Sequence, residues 1–233
     1  MKLKNLLVLL FPIIFLSCSG SCDSDNGNNN NSDSLPDVAP EFTYSPFSYP
    51  NGLATDLYSL GIYTSTSGVC SGDNAHSGWD FAPEWSSYPE DKVPVIAVAD
   101  GIITNILPKN TNSYNGTDHN TYIIWLGVSK TVTAHYTFEP FISYSDENYA
   151  YTWINVAVGD AVTAGQIIGY LPKVSGNLGE TLIHLDFKVA VGADSSSLSY
   201  PCPLSYFSSA WATANETGMI SKTGNAQCDE LCK

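Results

Sequence analysis

The sequence predicts an all-β, mainly antiparallel fold, and three observations predict it. β-branched residues are dense between Val93 and Val191, and such residues suit a pleated, half-buried surface. Short apolar runs recur between glycine turns, as in Val156-Ala-Val-Gly-Asp-Ala-Val-Thr-Ala-Gly165-Gln-Ile-Ile-Gly169, the pattern of short strands. No long helical period appears after the N-terminus. Fourteen Tyr, nine Phe and five Trp among 233 residues supply core volume. Both ends of the chain are poor in core residues, so one folded domain over residues 38–215 is expected.

The start of the chain reads as an export signal. Lys2 and Lys4 precede an apolar run from Leu6 to Leu16, too short to span a bilayer as a helix. Phe15-Leu16-Ser17-Cys18 resembles the lipobox of bacterial lipoproteins, which implies a signal peptide over residues 1–17 and lipidation of Cys18. The alternative is an ordinary signal cleaved near Ser19 or Gly20. Residues 18–37 are mostly Ser, Asn, Asp and Gly. They cannot bury enough apolar surface to offset their ordering entropy, so a flexible tether is expected. The formal charge is −14, and all nine basic residues are lysine. An acidic chain without arginine is a poor match for nucleic acid or phosphate, and nucleic-acid binding is excluded from the expected partners.

Within the domain, prolines at 36, 40, 46 and 50 mark an extended entry. Ala75-His76-Ser77-Gly78-Trp79-Asp80-Phe81 places a His and an Asp on one side of a turn, with Gly78 easing the backbone. Pro94 to Ile103 reads as strand, turn, strand. Thr121–Leu126 and Thr131–Phe138 read as a hairpin, with His135 in the second strand. Thr181 to Val189 alternates as a half-buried strand, with Leu182, His184 and Asp186 on one face and Ile183, Leu185 and Phe187 on the other. An imidazole and a carboxylate two residues apart then project together, roughly 7 Å apart along the strand.

Six cysteines in an exported chain invite disulfides. Cys228 and Cys232 can form a local clasp, and Cys70 with Cys202 would then tie the loop before His76 to the C-terminal region. Spacing does not decide the connectivity. No pair of Cys-x-x-Cys units exists to build a zinc site. Asn115-Gly-Thr and Asn215-Glu-Thr fit the glycosylation pattern. Residues 216–233 are expected to be a Cys-containing tail.

The ordered set His-x-Gly-x-Asp, Val-x-Ala-x-x-Gly, Ala-His-Tyr, Val-Gly-Asp-x-Val-x-x-Gly-Gln-x-Ile-Gly and His-Leu-x-Phe, over about residues 70–190, resembles the lysostaphin/LytM-type zinc metallopeptidases. The resemblance implies a β-sandwich or hybrid barrel with an open groove. It also implies one Zn2+ held by His76, Asp80 and Asp186, and catalytic roles for His184 as general base and His135 at the oxyanion. The last ligand of the family is ordinarily a His, and here it is Asp186. A carboxylate oxygen binds zinc at about 2.0–2.2 Å, so the replacement keeps a ligand.

The implied function is a zinc metalloendopeptidase cutting peptidoglycan cross-link peptides. The chain would be a monomer in the bacterial cell envelope, touching the membrane through its lipid anchor only. The alternative is a degenerate, non-catalytic module that binds or regulates cell-wall hydrolases, with Asp186 as the mark of that change.

Overall fold

The computed structural model describes residues 34–65, 75–114, 116–142, 149–173, 182–192, 197–223 and 230–232, all within the unit Asn31–Lys233. The elements in order are α1 (Leu53–Asp56), β1 (Leu57–Gly61), β2 (Trp79–Pro83), β3 (Lys92–Ile96), β4 (Gly101–Tyr114), β5 (Thr117–Gly127), β6 (Val132–Ile142), β7 (Ala161–Val162), β8 (Ile167–Pro172), β9 (His184–Val191) and α2 (Ser209–Ile220). Seven strands form one sheet in the order β1-β2-β9-β6-β5-β4-β7, and β3 pairs with β8 in a second. Every pairing is antiparallel. The mainly antiparallel all-β expectation holds, and the expected hairpin is β5–β6. Among the described residues, no helix is long and apolar enough to cross a membrane.

Alternation along the strands divides the large sheet into two chemically different faces. Trp79 and Phe81 of β2, Ala134, Tyr136 and Phe138 of β6, and Leu185, Phe187 and Val189 of β9 are all buried in one core. Val93, Val95 and Leu171 of the second sheet complete it. Its two deepest hydroxyls are satisfied: Tyr136 Oη accepts from the Val98 amide at 2.9 Å, and Tyr122 donates to the Tyr170 carbonyl at 2.6 Å. The opposite face carries Asp80, His135, Thr137, Glu139, His184, Asp186 and Lys188 by the same period of two. Packing the apolar row therefore fixes where the polar row points.

One element differs from the sequence reading. Ser209–Ile220 is an α-helix of 12 residues, capped by the Ser208 hydroxyl accepting from the Trp211 amide. It runs through the division expected at residue 215. Its buried stripe is Trp211, Asn215 and Met219, where Asn215 interrupts the apolar period and satisfies itself on the Trp211 carbonyl at 2.9 Å. Asn215 is thus an interior residue rather than an accessible glycosylation acceptor; Asn115 lies outside the described residues. Phe207 and Trp211 stack at 3.9 Å, and Trp79 stacks on both, which fastens the helix beneath β2.

The disulfide pattern is also corrected. Cys202 pairs with Cys232, at a Cα–Cα distance of 5.8 Å, so neither the Cys228–Cys232 clasp nor the Cys70–Cys202 tie forms. Two tertiary contacts bring the tail there: a bridge from Cys232 to Tyr63, and Trp79 Nε1–H donating to the Leu231 carbonyl at 3.1 Å. A residue spacing could not report either. Cys18, Cys22, Cys70 and Cys228 lie outside the described residues.

Candidate metal centre

Three side chains from three segments meet on the polar face. Asp80 sits in β2, where the sequence suggested a turn. Alternation of Trp79, Asp80 and Phe81 makes it a strand residue whose register partner in β9 is Asp186. His76 lies just before β2, held by a bridge to Thr64. One ligand atom from each of His76, Asp80 and Asp186 falls within 4.8 Å of the others. His76 Nε2 is 3.3 Å from Asp80 Oδ1 and 3.8 Å from Asp186 Oδ1. Its Nδ1 lies 3.2 Å from the Ile62 carbonyl, the kind of outer contact that fixes an imidazole's orientation and leaves the other nitrogen to a metal.

Gly78 is required for this meeting, although not for a turn. A Cβ there would lie 2.5 Å from the Phe187 carbonyl oxygen and 2.8 Å from Asp186 Oδ1. Only a glycine lets the segment between His76 and Asp80 lie flat on β9.

The electrostatics of the cluster are unbalanced. Burial alone would depress His76, but the Asp80 carboxylate overrides it and raises the imidazole to about 9. Burial and the charge of Asp80 push Asp186 up to about 6, against the pull of Lys188. Burial acts on Asp80 in the same direction, yet His184 and His76 hold its carboxyl below the ordinary value. Two carboxylates that share a site resist ionising together. Lys188 Nζ lies 2.5 Å from Asp186 Oδ2, which leaves Asp186 Oδ1 facing the trio. That oxygen and Asp80 Oδ1 are both buried without a well-formed hydrogen bond, and the one imidazole nitrogen of His76 lies beside both, at 3.8 and 3.3 Å. Buried carboxylate oxygens without well-formed hydrogen bonds are costly, and a divalent cation among them would remove the cost. The donor set, one imidazole and two carboxylates, fits Zn2+.

A cavity of about 520 Å³ opens beside the trio, lined among others by Asp80, His119, Glu139, Phe141 and His184. His184 donates Nδ1–H to the Leu182 carbonyl at 2.7 Å. Its Nε2 then faces Asp80 Oδ1 and Glu139 Oε2, each at 3.6 Å. Burial would lower the pKa of His184, and the charges of Asp80 and Glu139 raise it.

Of the expected site residues, the structure brings His76, Asp80, Asp186 and His184 together and places His135 elsewhere on the same face. His135 pairs in register with Lys188, two residues along from the Thr137–Asp186 pair. Its ring stacks on Trp125 at 4.6 Å and meets Tyr200 edge-on. It is not among the residues lining the cavity. Burial, aided by Lys188, lowers its pKa to about 4. The unfolded imidazole takes up a proton as pH falls through about 6.5 and the folded one only near 4, so stability present at neutral pH is lost across that interval. At roughly 1.4 kcal/mol per pKa unit, denaturant titrations of a His135→Gln variant should show a fall in unfolding free energy from pH 7 to pH 4.5 smaller than wild type by about 2 kcal/mol. Equal falls in the two proteins would contradict a buried, neutral His135.

The sequence reading missed Glu139, His119 and Lys188. Glu139 lies one residue past the expected end of its strand, and His119 two residues before the expected start of its own. Lys188 continues the His184, Asp186 alternation and was legible by period alone.

No protein-family model matches the chain, and no curated protein does. Among solved structures, it is similar to a protein described as a glycyl-glycine endopeptidase LytM from Ruminococcus gnavus, at 17% identity and a TM-score of 0.41, over 69% of this chain and 57% of that one. It is similar to the catalytic domain, as a point mutant, of the prophage-encoded M23 protein EnpA from Enterococcus faecalis, at 21% identity and 0.38, over 69% and 92%. It is similar to lysostaphin at 23% identity and 0.37, over 72% of this chain and 54% of that protein.

Proposed function

We propose that the chain is a zinc-dependent endopeptidase of the bacterial cell envelope, acting on peptide cross-links of peptidoglycan from a lipid-anchored position. The observation that carries the reading is the His76, Asp80, Asp186 trio, with two buried carboxylate oxygens that lack a well-formed hydrogen bond, at the edge of a cavity that also presents His184 Nε2. The ordered sequence motifs support peptide as the substrate class.

When bound, zinc supplies an acidified water and polarises the scissile carbonyl. The chain's own residues do the rest. His184 donates Nδ1–H to the Leu182 carbonyl, which leaves Nε2 as the nitrogen that faces the cavity and acts as the base. It accepts the proton of the attacking water and returns it to the departing amine as the C–N bond breaks. The cavity walls, among them Phe141, Ala82 and Leu182, seat the peptide and exclude bulk water. Lys188 neutralises one oxygen of Asp186, so the two-carboxylate set carries less net charge than its composition implies.

The test is a His184→Ala variant, assayed for zinc content and for release of peptides from purified peptidoglycan. Zinc content should match wild type while turnover falls by about 10²–10⁴-fold, the usual contribution of a general base. Wild-type turnover in the variant would remove His184 from the mechanism. Failure of the wild-type chain to bind zinc would instead favour the non-catalytic module.

A further inference from the structure

We propose that Glu139 and His119 are positioning residues for His184, so that the second imidazole of the reaction centre is His119 on β5 and not His135 on β6. The inference rests on the peptidase reading and deepens it.

The geometry is an array of three side chains that share one carboxylate oxygen. His119 Nε2 lies 3.2 Å from Glu139 Oε2, and the same oxygen lies 3.6 Å from His184 Nε2. All three residues line the cavity. His184 Nε2 has two carboxylates beside it, and Asp80 belongs to the metal-binding trio. Glu139 is therefore the carboxylate left to balance an imidazolium on His184. His119 donates Nε2–H to Glu139 and keeps Oε2 turned towards His184. The Leu182 carbonyl already fixes His184 through Nδ1, so Glu139 places a charge beside the reacting nitrogen instead of setting the tautomer.

The sheet is distorted at this place. Pairing of β5 with β6 shifts between Asn120 and Tyr122, so that Asn120 meets Ile142 while Tyr122 meets Phe138. Glu139, Pro140 and Phe141 occupy the bulge. Phe141 adopts φ 50°, a left-handed conformation that a bulky residue takes only at a cost. The result is that its ring stacks on His119 at 4.0 Å and tilts over His184 at 5.5 Å. Bulges of this kind re-aim side chains beside active sites. His119 is 3% exposed, and its Nδ1 is buried without a hydrogen-bond partner. Packing alone does not account for an imidazole buried at that cost against a carboxylate.

During hydrolysis the water oxygen bonds to the carbonyl carbon, its proton moves to His184 Nε2 and then to the amine nitrogen, and the C–N bond breaks to release the amine. Glu139 and His119 exchange no proton with substrate in this scheme; they hold the charge on His184 in place.

Two measurements on the full mature chain test the array. The first is nitrogen-15 imidazole NMR of the resting protein. A downfield Nε2–H resonance from His119, protected from solvent exchange and lost in Glu139→Gln, is expected; its absence in wild type would overturn the array. The second is steady-state hydrolysis of soluble cross-linked muropeptides with zinc content checked for each variant. Glu139→Gln should lower kcat by about 30-fold or more with KM and zinc content unchanged. His119→Leu should lower kcat by about 10-fold, and His119→Gln, which keeps an N–H donor towards Glu139, should restore most of it. Wild-type kcat in both Glu139→Gln and His119→Leu would overturn the proposal, as would a loss confined to His135→Gln. If the zinc-loaded wild-type chain hydrolyses nothing, the peptidase reading fails, and the NMR result alone decides whether the array exists.

Discussion

Replacement of Asp186 by alanine should lower zinc affinity by at least about 10²-fold, read as loss of near-stoichiometric metal in elemental analysis and in chelator competition. Structural zinc sites in small peptides are worth about 10–16 kcal/mol in apparent binding free energy, and removing one protein ligand forfeits a substantial share of that. Asp186 is 6% exposed, its Oδ1 aimed at His76 and its Oδ2 at Lys188. The alanine variant also strands the Lys188 ammonium without its carboxylate, which costs folding stability on its own account. Asp186→His separates the two effects, because it restores a metal ligand while leaving Lys188 unpaired. Zinc retained in Asp186→His and lost in Asp186→Ala identifies Asp186 as a ligand. Thermal shifts give a second readout, since zinc at about 100 times its Kd stabilises the folded chain by roughly 2.7 kcal/mol. That shift should disappear in the alanine variant. A wild-type shift there would show that the trio is not where zinc binds.

The second large effect lies on the opposite face of the sheet. Trp79→Ala should destabilise the chain by about 3–5 kcal/mol in urea titration, the range for emptying a large aromatic from a core. Trp79 is fully buried, with Phe207 at 5.6 Å and Trp211 at 6.3 Å. Its indole N–H is the donor to the Leu231 carbonyl, so the truncation leaves that acceptor unpaired and loosens the tail. Trp79→Phe should recover the larger part of the loss but not the hydrogen bond. A cost below about 1 kcal/mol for the alanine variant would mean that α2 and the tail do not depend on β2.

Much of the large sheet was legible before the structure because its signals are local. Alternation in Ile183-His184-Leu185-Asp186-Phe187 assigns the two faces of β9 correctly, and the β5–β6 hairpin follows from two β-branched runs around a short turn. His76, Asp80, Asp186 and His184 were legible as candidates because chemically distinctive residues recur in a recognisable order. What was not legible depends on tertiary context. The bulge at Glu139–Phe141 gives Phe141 a conformation that its residue type disfavours, so nothing in the sequence placed His119 in the site. Helix α2 hides because its middle buried position is an asparagine that bonds its own helix. The disulfide depends on Tyr63 and Trp79 receiving the tail, and the role of Gly78 depends on a neighbouring strand rather than on its own φ.

The pairing of β2 with β9 has a consequence for when the candidate metal site can form. His76 and Asp80 come from early in the folded chain and Asp186 from late in it, and the two groups meet only through this long-range pairing. Pairings of this kind form slowly, because the loop must close before the contacts reward it. A chain that has built only its central hairpins holds no complete set of ligands. On the proposed reading, zinc loading follows folding, and a mutation that slows closure of β9 onto β2 should yield apoprotein without altering His76, Asp80 or Asp186.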